Sequence, residues 1–175
     1  MRLWRLCKRR HAAFDGEGAR LSGGRWNRRG TAVVYTSETL SLAALELLVH
    51  CDPSLLPSDL VEIAAELPEG LAVERVEIAG LPRAWRRYPA PDALAQIGTD
   101  WARAASSAAL SVPSVVVPRE RNVLLNPAHP DFRRVRVGRP EPFSLDSRLA
   151  RSWSSGRTRS RSSTTSGGGT RRRFS

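Results

Sequence analysis

Cysteine is scarce in this chain of 175 residues: there are two, Cys7 and Cys51, with no C-x-x-C spacing and no ligand-type neighbours. A disulfide scaffold is excluded on that count, and reduced structural thiols are expected. Histidine is sparse too, three scattered residues that supply no cluster for a zinc centre. No apolar run approaches the roughly 20 residues that cross a bilayer. The longest candidate, Leu40 to Val49, is interrupted by Ser41 and Glu46. The basic N-terminus leads into no apolar segment of the signal-peptide kind, so a cytoplasmic protein without membrane association is expected. There is no Walker loop, and Gly16-Glu17-Gly18-Ala19-Arg20-Leu21 lacks the third glycine of a dinucleotide fingerprint. Ser114 stands outside any nucleophile-elbow context, with no histidine marked as its base.

Acidic residues are absent from 151–175, a stretch that contains seven arginines. The remainder carries 21 basic against 17 acidic side chains, so most of the net charge of +11 sits at the C-terminal end. That end is Arg, Ser, Thr and Gly with almost nothing apolar, and cannot bury enough surface to offset its ordering entropy. Two regions are therefore predicted, a single globular domain over 1–149 and a disordered basic tail over 150–175. Such a tail attracts polyanions at low salt without reading sequence, although a solvated extension with no role of its own is the simpler expectation.

What the chain does hold is concentrated between Gly16 and His50. A glycine-dense loop ends in Gly23, Gly24, Arg25, Trp26 and Asn27. Its glycines permit positive φ and close approach of backbone to ligand, and the Arg25 fork following the turn suits a phosphate. Ala32 to Thr36 reads as a buried strand carrying Tyr35. Ser37 is placed to cap a helix with Glu38 in its first turn. The helix shows apolar residues at Leu40, Ala43, Ala44, Leu47 and Leu48, and again at Leu42, Leu45 and Val49, so burial nearly all round is expected, with Pro53 and Pro57 stopping it. On such a helix Glu46 is either paired, with His50 at i+4 or an arginine elsewhere, or functional. An arginine, an aromatic and a carboxylate so placed suit a phosphorylated, cationic sugar.

Elsewhere the pattern reads as scaffold. Leu3, Trp4 and Leu6 suggest a short strand in which Arg5 must be exposed or paired, followed by a charged turn from Lys8 to His11. Val61, Ile63, Ala65 and Leu67 alternate as a strand does, and Leu71 to Ile78 returns as a second one after Pro68 to Gly70. An Arg- and Pro-rich connection from Gly80 to Pro91 holds Trp85 and Tyr88. A helix from about Asp92 carries the stripe Leu94, Ile97, Trp101 and Ala105, with Trp101 in the core. Ser114 to Val117, Val123 to Leu125 and Phe132 to Val137 read as short strands. Ser114 and Asn126, at run ends beside prolines, are either ligand-binding or turn-capping, and His129 has the same capping alternative.

Several of these pieces occur together in a known family. Gly23-Gly24-Arg25-Trp26-Asn27, Val34-Tyr35-Thr36-Ser37, Leu42-Ala43-Ala44-Leu45-Glu46, Val112-Pro113-Ser114, Asn122-Val123-Leu124-Leu125-Asn126-Pro127 and His129-Pro130-Asp131-Phe132 resemble, in order and spacing, the RES domain family. These are the toxins of bacterial RES–Xre toxin–antitoxin systems, named for arginine, glutamate and serine positions. The resemblance runs from Leu3 to about Leu149 and does not extend to the tail. It implies an α+β, ADP-ribosyltransferase-like domain of short strands and few helices. It further implies cleavage of NAD+ between nicotinamide and ribose, by hydrolysis or phosphorolysis, with NAD+ as substrate and no cofactor. An Xre-like antitoxin partner is implied, with DNA contacted only through it and an oligomer possible in that complex. The positions carried over are Glu46, Arg25 and Ser114 as catalytic, and Arg25, Tyr35, Ser114 and Asn126 as substrate-binding, with no metal. Glu46 would stabilise an oxocarbenium-like ribose, Arg25 hold the pyrophosphate, Tyr35 stack on nicotinamide, and Ser114 and Asn126 orient the ribose.

Three other readings remain open at this level. One is a mono-ADP-ribosyltransferase toxin with a macromolecular acceptor. Another is a basic nucleic-acid-binding or RNA-cleaving toxin that uses the tail with Arg133, Arg134 and Arg136. The third is a non-catalytic partner-binding domain.

Overall fold

The computed structural model of the chain describes residues 1–51, 57–146 and 148–149. The tail over 150–175 and Pro53 lie outside the described residues. Strand β1 (Arg2–Lys8) pairs antiparallel with β3 (Leu60–Glu66) along its whole length, and meets β2 (Val34–Ser37) at Trp4 and Ser37. Leu3 is fully buried. Arg5 is held by the His11 carbonyl at 3.2 Å and by the Phe14 ring, 5.7 Å from its guanidinium. Beyond β2 the sheet continues through β6 (Arg121–Leu125) and β5 (Ala109–Pro113) to β4 (Val73–Arg75). On the other side β7 (Arg136–Val137) and β8 (Glu141–Pro142) both pair with β3. The order is β4-β5-β6-β2-β1-β3-β7, with β8 off the path, and β4–β5 is the parallel pair among antiparallel ones.

Three strand expectations change. The second strand after Gly70 is only Val73–Arg75 and lies on the far edge, against β5, because the edge of β3 opposite β1 is taken by β7 and β8. Ser114 to Val117 is a turn: the Ser114 hydroxyl accepts the amides of Val116 and Val117 at 3.1 and 3.0 Å, which diverts them from a ladder. The strand there is the preceding run, Ala109–Pro113. The first half of Phe132 to Val137 belongs to a 3-10 turn over Pro130–Arg134, and only Arg136–Val137 is strand. His129 has the capping role, its Nδ1 accepting the Asp131 amide at 3.0 Å.

Helix α1 (Glu17–Ser22) sits inside the glycine-dense stretch, α2 (Leu40–His50) follows β2, and α3 (Asp92–Ala104) precedes β5. The cap of α2 is Thr39, whose Oγ1 accepts the Leu42 amide at 3.0 Å, while Ser37 stays in β2. Burial of α2 is one-sided. Only Leu42 and Ala43 are fully covered, and Leu45 and Val49 are 41% and 46% exposed, because one face packs on β1 and β2 while the other meets solvent. Trp101 of α3 is in the core as expected, its indole N–H donating to Ser107 Oγ at 2.9 Å.

Strand alternation divides the core into two clusters. Val34, Val123 and Leu125 join Leu3 and Ala65 in one. Tyr35 and Leu124 join Trp26, Trp85, Trp101 and Leu94 in the other. The tryptophan-rich cluster fastens the glycine loop and α3 to the sheet. It thereby fixes the wall on which the candidate site is built.

Candidate active site

The glycine loop is held from inside. Asn27 is 1% exposed and its amide donates to the carbonyls of Ala19 and Thr31 at 2.9 and 3.0 Å, tying α1 to the loop's exit. Tyr35 reaches it from β2: its hydroxyl donates to Asn27 Oδ1 at 2.8 Å and accepts the Trp26 amide at 3.0 Å. Gly24 permits this approach, since a Cβ there would stand 2.6 Å from the Tyr35 hydroxyl. Gly98 on α3 does the same for the Trp26 carbonyl, into which any side chain would run. Burial pushes the Tyr35 phenol well above its ordinary range, against smaller opposing effects from the Trp26 amide and the Arg25 charge. Tyr35 is therefore a neutral strut at every physiological pH.

Arg25, projecting from this braced loop, is clamped by backbone. Its Nη1 donates to the carbonyls of Trp85 at 2.8 Å and Arg87 at 3.2 Å, and its Nη2 to Arg87 at 3.3 Å. These bonds occupy the Nη1/Nη2 end of the guanidinium. The Nε–H and the remaining Nη2–H, a parallel pair suited to two oxygens of one phosphate, have no partner among the described residues. Burial lowers the Arg25 pKa, and the charge of Glu46 opposes that shift. The two side chains feel each other electrostatically without forming an ion pair.

Glu46 is held by side chains rather than by backbone. Its Oε1 accepts Ser114 Oγ at 2.8 Å and Asn122 Nδ2 at 2.6 Å. Asn122 is itself oriented by Ser37, whose hydroxyl donates to Asn122 Oδ1 at 2.7 Å. Glu46 Oε2 has no partner among the described residues, and neither His50 nor an arginine pairs with the carboxylate. Ser114 is fully buried and fully engaged: its proton goes to Glu46 and its lone pairs to the Val116 and Val117 amides. It acts on Glu46 and presents no hydroxyl to a ligand.

The fold thus gathers Arg25, Tyr35, Glu46 and Ser114 and leaves Asn126 apart. Asn126 is 1% exposed, its amide donating to the Ala102 carbonyl at 2.9 Å and its Oδ1 accepting the Ala128 amide at 3.1 Å. Ala102 lies in the last turn of α3, where carbonyls lack helical partners, so Asn126 works as a cap. Asn122 and Ser37 were not anticipated. One signal was available for Asn122: asparagine is depleted in strands, so its presence beside Val123, Leu124 and Leu125 asks for a reason. Among the described residues no three His, Cys, Asp or Glu side chains converge as metal ligands, and no helix is long and apolar enough to cross a membrane.

A family model described as the RES domain matches residues 2–146. This chain belongs to the RES domain family. The Prs ADP-ribosylating toxin of Sphingobium sp. (strain YBL2) is 39% identical to this RES protein over 154 residues, spanning 85% of this chain and 96% of the relative. Toxin Res of Yersinia enterocolitica is 40% identical over 152 residues, spanning 85% and 99%. The toxin–antitoxin complex MbcT–MbcA of M. tuberculosis contains a similar fold, with a TM-score of 0.64 over 82% of this chain and 84% of that one at 15% identity. The RES domain described here accordingly has an α+β fold similar to that of a chain in that complex, and it is a homologue of proteins named as toxins.

Proposed function

We propose that this RES domain is the toxin of a toxin–antitoxin system and depletes NAD+ by cleaving the bond between nicotinamide and ribose. The observation that carries the reading is the wiring of Glu46: Ser114 and Asn122 both hold Oε1, which leaves Oε2 without a partner among the described residues on a carboxylate whose charge Arg25 feels. Nicotinamide departs as a neutral molecule from a cationic glycoside, taking the electron pair of the C–N bond, so little acid catalysis is needed. The demand is for stabilisation of the positive charge that develops on ribose. A carboxylate preorganised by two donors meets that demand without reorganising as charge appears. The acceptor, water or phosphate, then bonds to the anomeric carbon and releases its proton in the case of water.

Arg25 takes the pyrophosphate on its open Nε/Nη2 edge, while its carbonyl clamp stops the fork from rotating. Tyr35 lends its ring to the wall and its hydroxyl to the loop. Ser114 and Asn122 act through Glu46, and Asn126 is given no part. NAD+ is substrate and no cofactor is invoked. The fold shared with a toxin–antitoxin complex supports an antitoxin partner, in our reading an Xre-like protein through which DNA is reached, in the cytoplasm.

The test is NAD+ consumption by purified protein freed of antitoxin, in phosphate and phosphate-free buffer, with products separated by mass. Nicotinamide with ADP-ribose in both buffers marks a glycohydrolase, and ADP-ribose-1-phosphate only with phosphate marks a phosphorylase. Glu46→Gln is expected to lower either rate on the order of 10²–10³-fold. A second reading, mono-ADP-ribosylation of a macromolecule, is favoured by the name of the Sphingobium relative. Label on a macromolecule from labelled NAD+, with no free ADP-ribose, would select it instead.

A further inference from the structure

Tyr88 is 88% exposed, the most exposed large apolar side chain among the described residues. A single exposed aromatic is ordinary on a surface. The position of this one is not. Its backbone follows directly on Arg87, whose carbonyl receives both Nη1 and Nη2 of Arg25. The segment is also rigidly seated: two successive turns close it, with the Trp85 amide on the Pro82 carbonyl and the Arg87 amide on the Ala84 carbonyl, each at 2.9 Å. The Trp85 side chain, 7% exposed, anchors it in the tryptophan cluster. Tyr88 is thus presented to solvent from a fixed backbone that follows directly on the clamp at the Nη1/Nη2 end of Arg25.

Arg83, Arg86 and Arg87 on the same segment are exposed, and none forms an ion pair among the described residues. Unpaired cations beside an open aromatic face match a ligand that joins phosphate to a planar base, since every base offers a π-face to an aromatic ring and each phosphate seeks guanidinium donors. We propose that the segment 83–88 is the subsite for the adenosine diphosphate half of NAD+, with Tyr88 stacking on the adenine and the arginines beside it meeting the phosphates. This rests on the reading of Glu46 and Arg25 given above and adds its specificity: the site selects a dinucleotide over a mononucleotide because Tyr88 is there to receive the second base.

The test compares NAD+ with nicotinamide mononucleotide, which has the scissile bond but no adenosine, as substrates of the wild type, Tyr88→Ala and Tyr88→Phe. The wild type is expected to prefer NAD+, and Tyr88→Ala to raise KM for NAD+ on the order of tenfold, the loss of one base stack, with kcat little moved. Tyr88→Phe, which keeps the ring, should retain the preference. An unchanged NAD+ to mononucleotide ratio in Tyr88→Ala overturns the subsite. If the wild type cleaves neither compound, the cleavage reading fails, and calorimetric titration with adenosine diphosphate decides the subsite separately. Binding that weakens about tenfold in Tyr88→Ala and survives in Tyr88→Phe upholds it. Absent binding, or equal binding in all three proteins, overturns it. A Tyr88→Ala protein that labels a macromolecule less while binding adenosine diphosphate normally would likewise overturn it, in favour of a surface for a macromolecular acceptor.

Discussion

Two asparagines bracket the Val123–Leu125 run of β6, Asn122 within the strand and Asn126 just past its end. Four residues at about 3.3 Å each put them roughly 13 Å apart, on the same side of the strand. Their surroundings differ in kind. Asn126 is closed over, and both its amide atoms serve backbone groups, a last-turn carbonyl of α3 and the amide of Ala128. Asn122 is half-buried, and both its amide atoms serve side chains, the Ser37 hydroxyl and the Glu46 carboxylate. An asparagine spent on backbone holds the fold together. One spent on orienting a carboxylate holds the candidate site together.

Substitutions can break that contrast. Asn122→Ala removes one of the two donors fixing Glu46, and NAD+ turnover should fall by about 100-fold with thermal stability little altered. Were turnover to survive, Ser114 alone would suffice to hold Glu46 and the contrast would lose its functional half. Asn126→Ala should behave oppositely: it strips a buried carbonyl and a part-buried amide of their partner, costing about 1–3 kcal/mol in denaturant unfolding while turnover per folded molecule stays unchanged. A specific loss of turnover there would return Asn126 to the site. Ser37→Ala sharpens the picture, because Asn122 can still reach Glu46 but is no longer held in one orientation. A drop in turnover of about three- to tenfold is expected, smaller than that of Asn122→Ala and within the energy of one hydrogen bond.

The smallest expected effect is visible only in alkali and concerns the loop opposite. Burial raises the Tyr35 phenol above its ordinary 10.0. Above that pH the unfolded chain ionises this tyrosine while the folded chain keeps its proton, so the native state binds more protons and stability falls as pH rises. The Tyr35 contribution is therefore complete below pH 10 and lost above it, by at most about 1.4 kcal/mol per pH unit. In Tyr35→Phe this share of the alkaline slope should vanish from unfolding curves, alongside a pH-independent loss from the unpaired Asn27 oxygen and Trp26 amide.

Much of this was legible in the chain because the signals are local. Alternation at Val61, Ile63 and Ala65 marks β3, the stripe through Leu94 and Trp101 marks α3, and a carboxylate on an otherwise apolar helix singles out Glu46. Errors arose where a residue had two local options and distant partners chose between them. Ser37 is as good a cap as Thr39 until Asn122 arrives to bond it. Ser114 opens a β-rich run, yet its hydroxyl draws two downstream amides out of a ladder. The short β4 has no fully buried side chain to betray which edge it joins, and α2 has apolar residues on a face that nothing in the described fold covers.

By itself the sequence determined the α+β class and membership of the RES family, and it singled out Arg25, Tyr35 and Glu46 as candidates, since all of these are written in residue type and spacing along the chain. Tertiary structure alone decided that Asn122 and not Asn126 stands on Glu46, that Ser114 serves the carboxylate rather than a ligand, and that Trp85 and Arg87 grip Arg25 through their carbonyls. The physical reason is common to all of these. Each is a hydrogen bond between groups 60 or more residues apart, or a cap whose partner is a backbone atom, and neither leaves a mark on side-chain identity.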